Sequence, residues 1–187
     1  MRILFAIILI GLVALPAFAE IYTVKRVIGG DVLELDNGQE VRLIGIDCPE
    51  SEPNEKAKSI SHRTGKPLKN ILKIGRKSLA FVKNLVEGKE VRLEFDVQKK
   101  NAQGRLLAYV YLREDASSKE YKLARVKDVV YDGRANNKNY VERFLNAYII
   151  YSGYATPMNI PPNIKYMNLF EELYQNARKE KRGLWAD

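Results

Sequence analysis

Three short apolar runs, separated by two turn signals, occupy the chain after residue 19 and constrain its fold more than any other feature. The turn signals are the dipeptides Gly29-Gly30 and Asn37-Gly38. Asn-Gly favours two-residue hairpin turns, because both positions tolerate a positive φ. We therefore predict three consecutive strands, carried by "IYTVKRVI", "DVLEL" and "EVRLIGI".

Two more strand-like runs and three helical ones follow. The strand-like runs are "VRLEFDV" and "LLAYVYL", and helical spacing of apolar residues occurs in "IGRKSLAFVKNLVEGKEV", "VERFLNAYIIYSG" and "NLFEELYQNARKEKRG". The first helix lies between the third and fourth strands, and the other two end the chain. Five short strands with a long crossover and terminal helices predict an α+β fold built on a small closed barrel.

The N-terminus has the composition of an export signal. After Met1-Arg2 come thirteen apolar residues, and the stretch closes with the small-x-small pattern Ala17-Phe18-Ala19. This pattern predicts a signal peptide over residues 1–19, cut before Glu20, and one domain over residues 20–187. An uncleaved membrane anchor is the alternative. A membrane span needs about 20 apolar residues, however, and Pro16 interrupts this run before that length is reached.

Charge and cysteine content limit the possible partners and the possible chemistry. The net charge of +8 favours binding of polyanions. It does not distinguish nucleic acid, anionic lipid and acidic glycans as partners. Removal of Arg2 with the signal peptide leaves +7. The single cysteine, Cys48, excludes an internal disulfide. It reads as a small buried residue rather than a reactive thiol.

Two acids near the ends of predicted strands are candidates for a metal site, and a third acid nearby is a candidate base. Asp31 follows the Gly-Gly pair, Asp47 ends the third strand, and Glu50 comes three residues later, past Pro49. Carboxylates brought together by folding need a cation between them, and oxygen ligands point to Ca²⁺ or Mg²⁺. Glu50 would serve as a base toward water held at that site. Each acid taken alone is equally well a solvated turn residue.

Two arginines complete the candidate set. Arg42 lies within the third strand and Arg105 precedes the fifth, and a guanidinium suits bidentate contact with phosphate. A surface ion pair is the ordinary alternative for either one. Strict alternation places Arg42 and Asp47 on opposite faces of a strand. The two can share a site only if the strand bends, for which Gly45 is the candidate.

The ordered motifs "GGDVLEL", "VRLIGIDCPE", "QGRLLAYVYL" and "ARKEKRGLW" resemble those of the thermonuclease family, of which staphylococcal nuclease is the best-known member. The resemblance covers nearly all of the chain after residue 19. It implies a five-stranded OB-fold β-barrel with about three packed α-helices, which agrees with the independent count of elements.

The resemblance also implies roles for particular residues. Asp31 and Asp47 would bind Ca²⁺ through their carboxylates, and Cys48 through its backbone carbonyl. Glu50 would orient or deprotonate the attacking water. The arginines, Arg42 and Arg105, would hold the scissile phosphate and stabilise the transition state.

The sequence departs from the family pattern in three places. Gly29 stands where an acid is frequent, and Asn101 and Gln103 replace an acid and an aromatic residue before Arg105. The stretch "TPMNIPPN" offers no tyrosine before Tyr166 to match the family's aromatic pair. Stacking of this kind contributes about 1–3 kcal/mol per base, so we expect altered substrate affinity rather than lost activity.

Two segments exceed the family's minimal length: residues 51–72 and 113–143. The first, rich in Lys and Arg and holding the single histidine His62, is predicted to be a long exposed loop. It would either guide a substrate strand or remain a solvated loop. The second has no clear pattern, apart from the strand-like "YKLARVKDVVYDGR" with a possible turn at Asp132-Gly133.

Together with the resemblance, these features predict a secreted or periplasmic Ca²⁺-dependent nuclease that cuts DNA and RNA with little sequence preference. The resemblance also implies products that carry 3′-phosphates. We expect a monomer with no stable membrane association after signal cleavage. The alternative is an OB-fold module that binds nucleic acid without cutting it. Retention of Arg42, Glu50 and Arg105 favours the enzyme.

Overall fold

The computed structural model describes residues 21–115, 117, 130–131 and 140–186, and it contains a closed β-barrel. Five strands form the barrel in the order β3-β2-β1-β5-β6, and β3 closes it by pairing with β6 in parallel. The predicted five-stranded barrel is therefore confirmed. The strands are β1 (Ile21–Gly29), β2 (Val32–Leu35), β3 (Glu40–Leu43), β4 (Ile46–Asp47), β5 (Glu90–Glu94), β6 (Leu106–Asp115), β7 (Val130–Tyr131), β8 (Tyr140–Phe144) and β9 (Thr156–Pro157).

Apolar side chains at alternate positions along the strands point inward and fill the barrel. Leu33 and Leu35 of β2, Val41 of β3 and Val91 of β5 are fully buried, and Leu43 nearly so. Since successive strand residues point to opposite faces, the polar residues between them face outward. The predicted Asn37-Gly38 turn joins β2 to β3: Gly38 has φ +80° and its N–H donates to the Leu35 carbonyl at 3.0 Å.

The third predicted strand is in fact two, β3 and β4, because the chain turns at Gly45. Its φ is +79°, and a Cβ there would lie 2.4 Å from the Phe170 ring, so only glycine fits. Buried Asn146 holds the turn by donating to the Ile44 carbonyl at 2.8 Å and accepting from the Val110 N–H at 2.9 Å. After the turn, β4 pairs with β9 outside the barrel.

Four α-helices occur in the described part of the chain, rather than three. They are α1 (Glu55–Thr64), α2 (Leu68–Val86), α3 (Leu145–Tyr151) and α4 (Met167–Lys179), followed by a 3₁₀ turn at Gly183–Trp185. The prediction of a long loop over residues 51–72 was wrong. Asn54 caps α1 by accepting from the Ala57 N–H at 2.8 Å, and buried Ala57 packs on Ile71 and Leu72 of α2.

The helix predicted from "VERFLNAYIIYSG" is also corrected. Its first part is β8, which extends the sheet by pairing with the far end of β6, and only Leu145–Tyr151 is helical. The final helix is confirmed as α4. Of the unclear stretch 113–143, the strand-like "YKLARVKDVVYDGR" lies outside the described residues except for β7, as does the turn at Asp132-Gly133.

Within the described ranges, no helix has both the length and the apolar character needed to cross a membrane. The predicted signal peptide, residues 1–19, lies outside those ranges.

Candidate active site

Asp31 lies in the turn between β1 and β2 and points toward the segment that follows β4. Its Oδ2 atom accepts a hydrogen bond from the Cys48 N–H at 2.8 Å. The same oxygen forms an ion pair with Arg42 Nη1 at 2.8 Å. Burial raises the pKa of the Asp31 carboxyl, and Arg42 and the Cys48 N–H offset only part of that effect.

Arg42 joins the two aspartates. Besides Asp31, its guanidinium reaches Asp47, with Nη2 at 3.6 Å from Oδ1. The turn at Gly45 makes this possible, because it reverses the side-chain alternation that would otherwise separate Arg42 from Asp47. The predicted bend is therefore present, and Arg42, Asp31 and Asp47 meet at one edge of the barrel.

Cys48 contributes its backbone to this site and its side chain to the core. The side chain is 3% exposed, which confirms the prediction of a small buried residue. Burial raises the pKa of the Cys48 thiol, so the sulfur remains protonated at neutral pH. The available ligand atom is the backbone carbonyl oxygen, which faces Lys56 Nζ at 3.5 Å.

Glu50 is positioned by two neighbours and by a glycine of α2. Asn54 Nδ2 donates to Glu50 Oε2 at 2.7 Å, and Lys56 Nζ lies 2.9 Å from Oε1. The backbone of Glu50 rests directly on Gly75, where a Cβ would lie 1.9 Å from the Glu50 carbonyl oxygen. Burial raises the pKa of Glu50, but Lys56 and Asn54 outweigh it, so the pKa falls below its ordinary value.

Lys56 is a site residue that the sequence analysis missed. It was grouped with the basic residues of a supposed loop, yet its ammonium contacts Asp47 Oδ1 at 2.6 Å and Glu50 Oε1 at 2.9 Å. Burial lowers the pKa of Lys56, but the two carboxylates raise it further than burial lowers it. The signal available in the sequence was Asn54, since an N-cap there would place Lys56 in the first turn of a helix.

Arg105 has a different carboxylate partner from Arg42. It pairs with Glu40, with Nε at 2.5 Å from Oε2, beside a shallow depression of about 310 Å³. Asn101 shapes the preceding turn by accepting from the N–H groups of Gln103 and Arg105, each at 3.0 Å. The register of β3 and β6 pairs Arg42 with Leu107, so Arg105 lies at the same barrel edge, near Glu40 rather than near the aspartates.

We call Asp31, Asp47, Glu50 and the Cys48 carbonyl the acidic site. Its donor atoms are oxygens, which is the set that Ca²⁺ prefers, and three of them surround one cationic atom, Lys56 Nζ. The chemistry of the donor set therefore fits a hard divalent cation. As the side chains stand, no three acidic, histidine or cysteine groups in the described ranges are grouped closely enough to hold a metal.

An apolar groove of about 280 Å³ adjoins the acidic site, lined in part by Met158, Ile164 and Met167. Met158 connects the two, since its sulfur lies 3.7 Å from Arg42 Nη2. Tyr166, the nearest tyrosine after "TPMNIPPN", is not part of this lining. Its hydroxyl bonds to Glu94 at 3.0 Å, and its ring packs edge-on against Tyr109.

A closed five-stranded barrel that carries acids and an arginine at one edge defines the class: an α+β, OB-fold domain with a candidate polar site. Comparison with known sequences then assigns the family. The profile described as "Staphylococcal nuclease homologue" matches residues 40–187, and the chain belongs to this family of nuclease homologues.

Three curated relatives support the assignment. A protein named Thermonuclease from Staphylococcus intermedius is 33% identical over 169 residues, which is 89% of this chain and 76% of the relative. The Thermonuclease of Staphylococcus hyicus is 30% identical over the same shares. The SPbeta prophage-derived endonuclease YokF of Bacillus subtilis (strain 168) is 27% identical, over 88% of this chain and 43% of the relative.

Proposed function

We propose that this chain is a secreted or periplasmic, Ca²⁺-dependent nuclease that hydrolyses phosphodiester bonds of DNA and RNA with little sequence preference. The observation that carries the proposal is the position of Arg42, which lies within ion-pair distance of both Asp31 and Asp47. These residues come from three separate segments, and partly buried charges held together in this way cluster at functional sites. The names of the relatives, thermonuclease and endonuclease, support the reaction class.

Asp31 and Asp47, with the Cys48 carbonyl, are the residues that would hold Ca²⁺. The bound ion would supply positive charge to offset the charge that builds on the phosphoryl oxygens during hydrolysis. The Cys48 thiol has no part in this chemistry, because its side chain is buried in the core.

Glu50 would deprotonate the attacking water or orient it. Its lowered pKa keeps the carboxylate ionised at neutral pH, which a base requires. Arg42 and Arg105 would hold the scissile phosphate from two sides of the barrel edge. For Arg105 this means exchanging its Glu40 partner for a phosphate oxygen, and guanidinium groups bind both anions in a bidentate manner.

The test is digestion of plasmid DNA and of RNA by the purified protein. We expect cleavage with Ca²⁺, none with a chelator, and recovery on adding Ca²⁺ back. The products should carry 5′-hydroxyl ends, which a polynucleotide kinase labels without prior phosphatase treatment, because the phosphate is expected on the 3′ side. Absence of cleavage with every divalent ion would replace this proposal with a non-catalytic OB-fold module that binds nucleic acid.

A further inference from the structure

Lys56 places a positive charge among the oxygens of the acidic site. Its Nζ atom lies 2.6 Å from Asp47 Oδ1 and 2.9 Å from Glu50 Oε1. The Cys48 carbonyl oxygen is 3.5 Å away. One ammonium group therefore contacts two proposed metal ligands and the proposed base at once.

The position of this ammonium is built into the fold. Lys56 is in the first turn of α1, whose cap, Asn54, also donates to Glu50. One residue further on, Ala57 is fully buried against α2. The Lys56 backbone is thus fixed on both sides, and the side chain is only 39% exposed.

A divalent cation and this ammonium cannot use the same oxygens together. Ca²⁺ takes six to eight oxygen ligands at about 2.3–2.6 Å, so an ion bound to Asp47 Oδ1 and the Cys48 carbonyl would lie close to the present position of Nζ. Two cations at such a separation repel strongly. Binding of the metal therefore requires Lys56 to leave.

We infer that Lys56 is a tethered competitor of the catalytic metal, whose ammonium group occupies the acidic site until a divalent cation displaces it. This inference rests on the proposed function, since it takes Asp47 and the Cys48 carbonyl as metal ligands. Lys56 thereby sets the Ca²⁺ concentration at which the enzyme becomes loaded. It also keeps Asp47 and Glu50 together when no metal is bound.

The experiment is calorimetric titration of the wild-type protein, Lys56→Met and Lys58→Met with CaCl₂ alone. Methionine keeps the length and apolar stem of lysine but removes the charge. Lys58 is the matched control, because it lies on the same helix and pairs only with the exposed Glu55 among the contacts seen. We expect Lys56→Met to lower the Kd for Ca²⁺ at least about tenfold, since one positive charge leaves a partly buried site. Lys58→Met should bind as the wild type does.

Two further variants test whether the tighter Ca²⁺ binding depends on Asp47 and on the charge at position 56. Adding Asp47→Asn to Lys56→Met should abolish the tighter binding, and Lys56→Arg, which keeps the charge, should not tighten it. If Lys56→Met fails to fold without metal, the readout becomes recovery of its circular dichroism on adding Ca²⁺. Recovery supports the inference, and failure to recover overturns it.

The outcomes separate this inference from the proposed function. An unchanged or higher Kd in Lys56→Met overturns the competitor role, while Ca²⁺-dependent cleavage by the wild type would still stand. A lowered Kd in a protein that never cuts nucleic acid supports the competitor role and removes the nuclease. No Ca²⁺ binding by any variant overturns both.

Discussion

At the scale of single residues, Arg42 and Glu50 serve the proposed site in different ways, although both are predicted to be catalytic. Arg42 is 17% exposed and its partner Asp31 is 13% exposed, so the arginine also neutralises a largely buried carboxylate. Glu50 lies nearer the solvent, and its contacts are with Asn54 and Lys56. Their substitutions should therefore differ in their effect on stability.

We expect both Arg42→Ala and Glu50→Gln to lower turnover by at least about 10²-fold, the effect typical of losing one preorganised electrostatic group. Arg42→Ala should also lower the free energy of unfolding by about 3 kcal/mol, because it leaves Asp31 without its buried partner. Glu50→Gln should lower it by less, at most about 1 kcal/mol, because its ion pair with Lys56 is partly exposed. Initial rates and urea melts measure the two effects, and a fully active variant would remove that residue from the mechanism.

The ion pair between Glu40 and Arg105 gives a second residue-scale prediction. Both side chains are more than one third exposed, and exposed pairs contribute at most about 1 kcal/mol to stability. Glu40→Gln should therefore leave the unfolding midpoint nearly unchanged and lower KM, since Arg105 no longer has to exchange a carboxylate for the substrate phosphate. Glu90→Gln, which removes the exposed carboxylate that pairs with Arg113, is the control. A raised KM in Glu40→Gln would contradict this account.

At the scale of elements, α2 and the segment carrying Glu50 make contact through a glycine. Helix propensity predicts that Gly75→Ala, in the middle of α2, stabilises by about 1 kcal/mol. The structure predicts the reverse, since the new Cβ would overlap the Glu50 carbonyl and the Ser51 nitrogen. We expect a loss of about 1–3 kcal/mol, as for overpacking, together with lower activity as Glu50 shifts.

Urea denaturation of Gly75→Ala shows whether the substitution raises or lowers the free energy of unfolding. Gly29→Ala is the matched control, because a Cβ there would meet nothing nearer than Asp31 Oδ1 at 3.7 Å. A stabilised, fully active Gly75→Ala would show that the Glu50 segment does not depend on this contact.

Glu94 ties β5 to β6 and to the start of α4, and it makes stability depend on pH. It accepts from the hydroxyls of Tyr111 and Tyr166 and pairs with Lys165. Burial raises the pKa of Glu94, but these three partners lower it below its ordinary value. A carboxyl whose folded pKa is lowered stabilises the protein above its unfolded pKa, and the contribution disappears as the pH falls through the folded value.

Glu94→Gln should therefore lower the free energy of unfolding by about 1–2 kcal/mol at pH 7, and by progressively less as the pH falls below the ordinary pKa of glutamate. Urea melts between pH 3 and pH 7 measure the difference. Glu172→Gln, at an exposed position of α4, should stay close to the wild type throughout. An equal loss for Glu94→Gln at both ends of the range would exclude the ionised carboxylate as the cause.

The elements also show how far the sequence alone could go. The hairpin at Asn37-Gly38 and the five barrel strands followed from local patterns, because turn chemistry and period-2 alternation are local properties. Helix α1 did not, since its apolar face is little more than Ala57 and its stability comes from packing on α2. The apolar spacing predicts helix for the residues of β8, and their pairing with β6 overrides that preference.

The same distinction applies to the site. Asp31, Arg42, Asp47 and Glu50 could be selected by residue type and motif, and the bend at Gly45 by its missing side chain. The Asn54 cap could locate the start of α1, but the contacts of Lys56 with Asp47 and Glu50 depend on how α1 packs on α2. The Glu40 partner of Arg105 depends on the parallel register of β3 and β6. Both are tertiary properties that no local pattern contains.

At the scale of the whole molecule, the net charge of +8 should govern binding of nucleic acid. Binding that neutralises even two or three phosphates loses about tenfold in affinity between 50 and 200 mM salt. We expect at least that loss for Glu50→Gln with labelled single-stranded DNA, measured by fluorescence anisotropy. This variant is expected to bind without cutting. Affinity independent of salt would argue against a phosphate-directed surface.

The parallel pairing that closes the barrel has a consequence for how the protein is made. Glu40 and Arg105, at the start of that pairing, are 65 positions apart, and such distant contacts form late because a long loop must be closed first. A ribosome has to synthesise more than half of the polypeptide before the last barrel strand is available. Until then the emerging polypeptide lacks its closing strand, so the barrel closes only after β6 has been synthesised.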